Sequence, residues 1–254
     1  MPELPEVEIT RQGLLPLINQ TVSRVVIRNP SMRWPIPNHL PTTLANQSLL
    51  SLKRRAKYIL AEFENGTLLI HLGMSGHISL LDRNYPPEKH DHFDIQFQNH
   101  QVLRLNDPRR FGAVLWAGES PETHVLLSSL GPEPLSDAFN GQYLFKQIRK
   151  RKAAIKVTIM DAKLVVGVGN IYANESLFRS RINPQLPANQ LSLKQCERLE
   201  TEIKTTLAAA LKAGGSSLRD FAAVNGKPGY FQQSYFVYGR ADQPCKVCSN
   251  LIKN

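Results

Sequence analysis

The sequence predicts an α+β protein with a β-rich first half and a helical second half. From about residue 21 to 117, short apolar segments alternate with Asn, Gly, Pro and Asp turns, which is typical of an antiparallel β-sandwich or barrel. After residue 141 the apolar residues recur at helical spacing instead. A chain of 254 residues is long enough to build two modest domains, each with its own core.

A helix is predicted over residues 3–18, at the start of the chain. Its apolar residues Val7, Leu14 and Ile18 share one face, and Pro16 should end or kink it. The strands that follow are expected where apolar and β-branched residues run between turn signals. These runs cover residues 22–27, 58–63, 68–72, 93–97, 102–105 and 113–116. A helix packed on this β layer would place the N-terminus at its edge, where a ligand can reach it.

A turn-rich stretch at 131–141 separates the two halves and is expected to contain the interdomain hinge. Helices are predicted beyond it at 142–149, 153–161, 170–179 and 192–213. The aromatic-rich run 230–238 is predicted to be a strand. We therefore expect a first domain at 1–131, a hinge at 132–141, a helical domain at 142–226 and a C-terminal region at 227–254.

The charge balance favours a polyanionic partner. Lys and Arg outnumber Asp and Glu by 31 to 21, which gives a net charge of +10 and is typical of proteins that bind nucleic acid or an anionic membrane. No apolar run approaches the ~20 residues of a membrane span, and the N-terminus lacks an apolar signal core. The three cysteines do not make a disulfide framework. We therefore expect a cytoplasmic, nucleoid-associated protein with no membrane partner.

The first six residues carry the strongest candidates for catalysis. We expect the initiator methionine to be removed, because the next residue is small, and this would expose the secondary amine of Pro2. An α-amino group titrates near pKa ~8 and can attack an aldehyde-like sugar carbon to form a Schiff base. Glu3 and Glu6 flank that amine, and a carboxylate beside a nucleophile can move protons. The alternative, on this stretch alone, is an ordinary helix N-terminus.

Several cations are candidates for phosphate contacts. Lys57 lies at the edge of a predicted strand, where its ammonium can reach a phosphate or a leaving oxygen, although a solvated surface cation is the alternative. Lys150, Arg151 and Lys156 belong to the densest cationic run, which in a basic protein favours sequence-independent phosphate binding over a merely solvated face. A Gly-x-Gly sequence precedes a predicted helix, and Asn170 is expected to be its N-cap and to donate to a phosphate.

Two short loops carry residues that could enter a base stack. Met74 lies between glycines in a loop that leaves a strand, although a methionine is more often a core residue. Arg109 and Phe111 lie in a tight turn, and an exposed Phe beside Arg fits a wedge that fills the space left by an extruded base. His90 and His92 are two residues apart, which would place them on one face of a strand.

Seven motifs occur in order and span essentially the whole chain. They are PELPEVE at the N-terminus, AKY around Lys57, HLGMSG at 71–76, PPEKHDH at 86–92, DPRRFG at 107–112, VVGVGNIYANESLF at 165–178, and one composite C-terminal motif in which GKPGYF is followed by VYGR and CKVC. Together they resemble the bacterial formamidopyrimidine-DNA glycosylases. The resemblance implies a bifunctional DNA glycosylase and DNA-(apurinic or apyrimidinic site) lyase of base excision repair, which removes 8-oxoguanine and formamidopyrimidines and cuts the strand by β,δ-elimination. It also implies an N-terminal β-sandwich flanked by helices and a helical domain with a helix-two-turns-helix element.

The resemblance also implies roles for single residues. The Pro2 amine would displace the base and form the Schiff base, Glu3 would manage protons on the ribose, and Lys57 would donate a proton during strand cleavage. Glu6 would orient the first helix and Glu3. The residues implied to fill the base stack are Met74, Arg109 and Phe111, and those implied to contact the DNA backbone are His90, Lys156 and Asn170. Arg219 falls in a loop that, in the family, folds over the flipped base.

Cys245-x2-Cys248 is half of a four-cysteine zinc ribbon, because a structural zinc takes four ligands. The second pair should lie ~16 residues further on, but the sequence ends at Asn254, and Cys196 is far away in a predicted helix. The resemblance implies one structural zinc ion. Either this sequence is truncated or the protein lacks a complete finger, and the hairpin whose arginine assists the second elimination in the family is missing from this sequence. We expect zinc binding, DNA affinity and δ-elimination to be the properties most affected.

Two other functions remain open. An endonuclease VIII, which removes oxidised pyrimidines, is disfavoured by Leu4, since that class resembles Pro-Glu-Gly rather than Pro-Glu-Leu. A non-catalytic nucleic-acid-binding protein could reuse the helix-two-turns-helix element, but binding alone does not require Pro2, Glu3 and Lys57 together. We expect a monomer whose partner is damaged double-stranded DNA.

Overall fold

The computed structural model describes residues 2–216, 224 and 230–253. These residues form two compact units. The first unit contains residues 2–128 together with 214–216 and 224, and the second contains 129–213 and 230–253. Within the described ranges, no helix is both long enough and apolar enough to cross a membrane.

The first unit contains two four-stranded antiparallel sheets. Its elements are α1 (Leu4–Gly13), β1 (Val22–Ile27), α2 (Leu40–Leu44), β2 (Leu49–Arg55), β3 (Tyr58–Phe63), β4 (Gly66–His71), β5 (His77–Asp82), β6 (Asp91–Phe97), β7 (Gln101–Asn106) and β8 (Ala113–Gly118). One sheet has the order β1-β6-β7-β5 and the other β2-β3-β4-β8. Side chains from both sheets and from α1, such as Phe93, Ile59 and Val7, share one buried core. The predicted N-terminal β-sandwich is therefore present.

The strands predicted for the first unit are all confirmed, with ends that differ by at most two residues. β2 and β5 are additional strands that the sequence pattern does not reveal. Only Leu49 and Leu52 are buried in β2, and only Ile78 in β5, so neither strand shows a regular apolar alternation. The first helix is followed by a 3₁₀ turn at Leu15–Leu17, which agrees with the break expected at Pro16.

The second unit is helical. Its helices are α3 (Gly141–Ile148), α4 (Ile155–Ile159), α5 (Asn170–Arg179) and α6 (Leu193–Lys212). α3 and α5 both pack on α6, which begins with a capping box formed by Ser192 and Gln195. α4 is shorter than the helix expected at 153–161, because Ala154 forms a β-bridge with Pro187 just before it.

The strand predicted at 230–238 is wrong. Phe231–Ser234 forms a 3₁₀ turn, and the backbone N–H groups of residues 236–238 all donate to the carboxylate of Glu175, at 2.8–2.9 Å. Successive N–H groups of a strand point to alternate sides, so three in a row cannot bind one carboxylate. The aromatic residues of this run therefore reflect packing rather than strand formation.

Candidate functional site

The start of α1 is built around two buried carboxylates. Glu3 is 1% exposed and Glu6 is 0% exposed. One oxygen of Glu6 accepts a hydrogen bond from the backbone N–H of Glu3 at 3.0 Å, and the other accepts one from the backbone N–H of Ser216 at 2.9 Å. Pro2, which precedes the first turn of α1, is buried in the chain that still carries Met1. The predicted lesion-loop residue Arg219 lies outside the described residues.

Lys57 lies in the two-residue turn between β2 and β3, where Arg55 pairs with Tyr58. Burial lowers the pKa of Lys57, and the negative charges of Glu3 and Glu6 oppose that shift. The ammonium therefore lies within the electrostatic field of both carboxylates. The structure thus brings together Glu3, Glu6 and Lys57, which are far apart in the sequence.

His71 is a further member of this group, and the sequence interpretation missed it. Burial, reinforced by the positive charge of Lys57, lowers the pKa of His71 to about 4, so the imidazole is neutral near pH 7. Its Nδ1 accepts a hydrogen bond from the backbone N–H of Gly73 at 3.1 Å, which assigns the remaining proton to Nε2. The antiparallel pairing of Tyr58 with His71 is the signal that could have located it beside Lys57.

The candidate base-stack residues are exposed on two neighbouring loops. Met74 is 39% exposed and Phe111 is 42% exposed, which excludes the alternative that Met74 is a buried core residue. The guanidinium carbon of Arg109 lies 4.8 Å from the centre of the Phe111 ring, within the range of a cation–π contact. A Cβ added to Gly73 would lie 2.4 Å from the carbonyl carbon of Phe111, so the two loops touch.

Asp107 fixes these two loops to each other. Its side chain is 0% exposed and accepts hydrogen bonds from the Ser75 hydroxyl at 2.7 Å and from the backbone N–H of Gly112 at 2.8 Å. The Ser75 hydroxyl in turn accepts the backbone N–H of Arg109 at 3.3 Å. One buried carboxylate therefore sets the loop that carries Met74 against the loop that carries Arg109.

The two histidines of the 86–92 motif have different environments. His92 is buried in β6, and its Nε2 lies 2.9 Å from the carbonyl oxygen of Asp107. His90 is half-buried in the turn before that strand, with its ring 6.2 Å from the His92 ring. β6 begins at Asp91, so His90 lies just outside the strand that the spacing predicts for both histidines.

The cations proposed to contact phosphate in the second unit are not equivalent. Lys150 is exposed in the loop before α4, and Lys156 is half-buried in that helix. Arg151 forms an ion pair with Asp161 at 2.6 Å, so part of its charge is already neutralised within the protein. Lys150 is therefore the most accessible of the three.

Asn170 is the first residue of α5 and not its N-cap, which corrects the sequence prediction. The N-cap is Gly169, whose backbone is extended and which has no side chain to cap the helix. Gly167 precedes it with φ of +80°, a conformation that favours glycine. The Asn170 side chain is left exposed at the positive end of the helix dipole, where a helix favours anions.

Cys245 and Cys248 lie in a tight turn of the C-terminal segment. The backbone N–H of Val247 lies 3.4 Å from the Cys245 sulfur, and hydrogen bonds from the backbones of Val247 and Cys248 lower the pKa of Cys245. Such a thiol suits zinc, which takes four ligands. In the described part of the chain, no cluster of three or more His, Cys, Asp or Glu side chains could hold a metal ion. Cys196 is buried in α6, where burial raises its pKa to about 11.

Two family profiles match the chain. That of the formamidopyrimidine-DNA glycosylase N-terminal domain matches residues 1–114, and that of the formamidopyrimidine-DNA glycosylase H2TH domain matches residues 130–222. The first range contains the Glu3, Glu6 and Lys57 group, and the second contains Lys156 and Asn170.

Curated relatives extend this similarity to the whole chain. A formamidopyrimidine-DNA glycosylase from Methylobacillus flagellatus is 62% identical over 252 residues, which are 99% of this chain and 90% of that protein. One from a Janthinobacterium species is 53% identical over 257 residues, which cover 100% of this chain and 94% of that protein.

Solved structures share the fold. The crystal structure of the MutM (Fpg) protein from Thermus thermophilus has a TM-score of 0.89 and 36% identity, and the match covers 99% of this chain and 92% of that one. A complex between Lactococcus lactis Fpg and DNA containing an abasic site has a TM-score of 0.92 and 32% identity, with coverage of 99% and 93%.

Proposed function

The chain belongs to the formamidopyrimidine-DNA glycosylase family, and from this premise we propose that it is a bifunctional DNA glycosylase and abasic-site lyase of base excision repair. Its substrates are 8-oxoguanine and formamidopyrimidines in duplex DNA, on which it acts as a monomer in the cytoplasm. The observation that carries the proposal is the group formed by the buried carboxylates of Glu3 and Glu6 and the Lys57 ammonium. DNA binding alone does not require such a group beside a nucleophilic amine.

Recognition begins at the phosphates. In the second unit, the side chains of Lys150, Lys156 and the exposed Asn170 at the start of α5 donate hydrogen bonds to phosphate oxygens of the DNA backbone. Arg151 contributes less positive charge, because its guanidinium is paired with Asp161. His90 adds a contact from the first unit. Phosphate contacts carry no sequence information, which suits an enzyme that must examine any sequence for damage.

The damaged nucleotide must then leave the stack, at a cost of a few kcal/mol. Met74 and Phe111 take the vacated space, and Arg109 offers hydrogen bonds to the base that has lost its partner. Because Asp107 already fixes the two loops that carry these residues, little ordering is required when they enter the stack. Arg219 acts in the loop that covers the extruded base.

The first chemical step replaces the base by the protein. The Pro2 amine, exposed once the methionine is removed, attacks C1′ of the damaged nucleotide, and the bond between C1′ and the base breaks with its electron pair leaving on the base. Glu3 accepts the proton that the amine nitrogen loses and passes it to O4′ as the C1′–O4′ bond breaks and the ribose ring opens, while the departing base takes up a proton from solvent. The product is a C1′=N iminium between the sugar and Pro2. Glu6 holds the Glu3 backbone in place during this step.

The iminium then drives strand cleavage. It acidifies C2′, and loss of that proton breaks the C3′–O bond and expels the phosphate on that side. A second proton loss breaks the C5′–O bond and expels the other phosphate, and hydrolysis of the iminium frees Pro2. Lys57, whose lowered pKa eases proton release, donates a proton to a departing oxygen.

Cys245 and Cys248 would supply one ligand pair of a structural zinc ion. Bound zinc would fix the C-terminal segment, and no step of the reaction passes through the metal. In this role the two thiols act on DNA affinity and not on the chemistry at C1′.

Borohydride trapping tests the proposed function. The chain is incubated with a duplex that holds one 8-oxoguanine opposite cytosine, and borohydride reduces the iminium to a stable amine. A covalent protein–DNA band is expected from the wild type and from Pro5→Gly, and a much weaker band from Pro2→Gly. Trapping only on a duplex with an oxidised pyrimidine would favour an endonuclease VIII activity. Binding of DNA without any trapped band would favour a non-catalytic protein.

A further inference from the structure

The turn that carries Lys57 is tied to α1 by a pair of charged side chains that contact neither the base nor the sugar in the proposed mechanism. We infer that Arg54 and Glu8 are positioning residues for Lys57, which they hold through the carbonyl group of Ala56. The inference rests on the proposed function, in which Lys57 donates a proton during strand cleavage.

Glu8 joins α1 to β2 through Arg54 and is also bound by an arginine of its own helix. Its Oε1 lies 2.6 Å from Nη2 of Arg11 on the same helix, and its Oε2 lies 3.3 Å from Nε of Arg54 on β2. Burial acts to raise the pKa of Glu8, but the hydrogen bond from Arg11 and the charge of Arg54 help to lower it overall, so the carboxylate stays ionised. The Glu8 and Arg54 side chains are only 16% and 14% exposed, so their ion pair is better shielded than a typical surface pair.

Arg54 also reaches the turn itself. Its Nη1 donates a hydrogen bond to the carbonyl oxygen of Ala56 at 2.9 Å. That carbonyl belongs to the peptide bond between Ala56 and Lys57, so the contact acts directly on the backbone of the candidate proton donor. The planar guanidinium suits this arrangement, because its fork of N–H groups can bind Glu8 and the turn at the same time.

The conformation of Ala56 shows why this turn needs a restraint. Its φ of +56° lies in the left-handed region, where a residue with a Cβ is less favourable than glycine. A hydrogen bond to the Ala56 carbonyl stabilises this conformation. Without it, the turn would relax and Lys57 would shift relative to Glu3 and Glu6.

These contacts connect α1 to the turn that carries Lys57. Glu8 lies on α1 two residues after Glu6, and Arg54 carries the connection from Glu8 to the Lys57 turn. A displacement of a catalytic group by ~1 Å can cost on the order of 100-fold in rate. Binding to phosphates over a wide surface tolerates the same displacement, so rate and affinity should respond differently.

Single-turnover strand cleavage on the 8-oxoguanine duplex tests the inference. Arg54→Met keeps an unbranched side chain and removes the guanidinium, and we expect cleavage to slow by about 10-fold or more while the Kd for the duplex changes by less than about twofold. Glu8→Gln should cause a smaller loss of the same kind. Lys53→Gln is the matched control, because Lys53 precedes Arg54 on β2 and forms an exposed ion pair with Glu62 at 2.9 Å.

A double-mutant cycle separates positioning from a general structural role. In a Lys57→Ala background, Arg54→Met should cause no further loss of cleavage rate, because residues that act through one another are not additive. A full additional loss in that background would overturn the inference, as would equal losses of rate and affinity in Arg54→Met alone. If Arg54→Met does not fold, Glu8→Gln is taken through the same cycle. A wild-type chain that binds the duplex without cleaving it would contradict the proposed function instead.

Discussion

One carboxylate oxygen of Glu6 accepts a hydrogen bond from the backbone N–H of Ser216 at 2.9 Å, across 210 residues of sequence. The other oxygen accepts the backbone N–H of Glu3 at 3.0 Å. Glu6 is 0% exposed, so water cannot replace either contact. A single side chain therefore joins the start of α1 to the residue that precedes the stretch containing Arg219.

Glu6→Gln should destabilise the first unit. A glutamine side chain has one acceptor oxygen, so one of the two buried N–H groups would lose its partner. An unsatisfied buried donor costs about 1–3 kcal/mol, and we expect the free energy of unfolding in urea to fall by that amount. Glu62→Gln is the control, because the Glu62 side chain is 42% exposed. Equal stability of the two variants would show that the Glu6 contacts contribute nothing.

His71 should make the stability of the first unit depend on pH. The folded pKa of His71 is about 4, against 6.5 for an unperturbed histidine. Between these values the unfolded chain binds a proton and the folded protein does not, so stability rises with pH in this window. The contribution of neutral His71 to the free energy of unfolding is full above pH ~6.5 and is lost as the pH falls toward ~4. At about pH 5 the loss should be on the order of 1–2 kcal/mol.

His71→Asn isolates this component, since the Asn oxygen can still accept the backbone N–H of Gly73. Between about pH 7.5 and 5, the free energy of unfolding should fall by about 1–2 kcal/mol less in this variant than in the wild type. His39→Asn is the control at an exposed position, and its free energy of unfolding should change between the two pH values as much as that of the wild type. A pH dependence that survives in His71→Asn would have to come from other groups.

Local patterns in the sequence are sufficient for much of the first unit. β3 alternates buried and half-buried residues along its whole length, and such a period of two is visible without a structure. β2 escapes detection because three of its residues are the cations Lys53, Arg54 and Arg55. Lys53 forms an ion pair with Glu62 of β3, and Arg54 forms one with Glu8 of α1. Both partners belong to other elements, so the pattern within β2 does not reveal them.

The candidate site depends on contacts that no local pattern contains. The family resemblance identifies Glu3 and Lys57 separately, but only the fold places the charge of one beside the other. The neutral state of His71 likewise follows from its burial beside Lys57. The wrong strand at 230–238 has the same origin, because its backbone N–H groups bind the distant Glu175.

Glu175 should hold the C-terminal segment in place. Its side chain is 1% exposed and accepts the backbone N–H groups of residues 236–238. Glu175→Gln has one acceptor oxygen for these donors, and a loss of about 1–3 kcal/mol corresponds to amide hydrogen exchange that is roughly 5–150-fold faster. Glu200→Gln, which removes the ion pair with Lys204 on α6 and makes no contact with residues 236–238, is the control. Unchanged exchange would mean that aromatic packing alone holds the segment.

Phe111 should act on base extrusion. Its ring is 42% exposed beside Arg109, and stacking of an aromatic ring on a base contributes about 1–3 kcal/mol. Phe111→Ala should therefore slow excision of 8-oxoguanine paired with cytosine by roughly 5–150-fold. Tyr85→Ala removes another aromatic ring, 61% exposed on the same unit, and should not slow it.

The pairing of the lesion decides what the Phe111 ring contributes. A lesion that already lacks a pairing partner costs less to extrude, so Phe111→Ala should slow its excision by a smaller factor than that of the paired lesion. Single-turnover rates on the two duplexes at saturating protein give this comparison. Because the chemistry at C1′ is the same in both, the difference between the two factors reports on extrusion alone. Equal slowing of both substrates would place the effect of the ring in the chemical step or in folding, and not in the rotation of the base out of the stack.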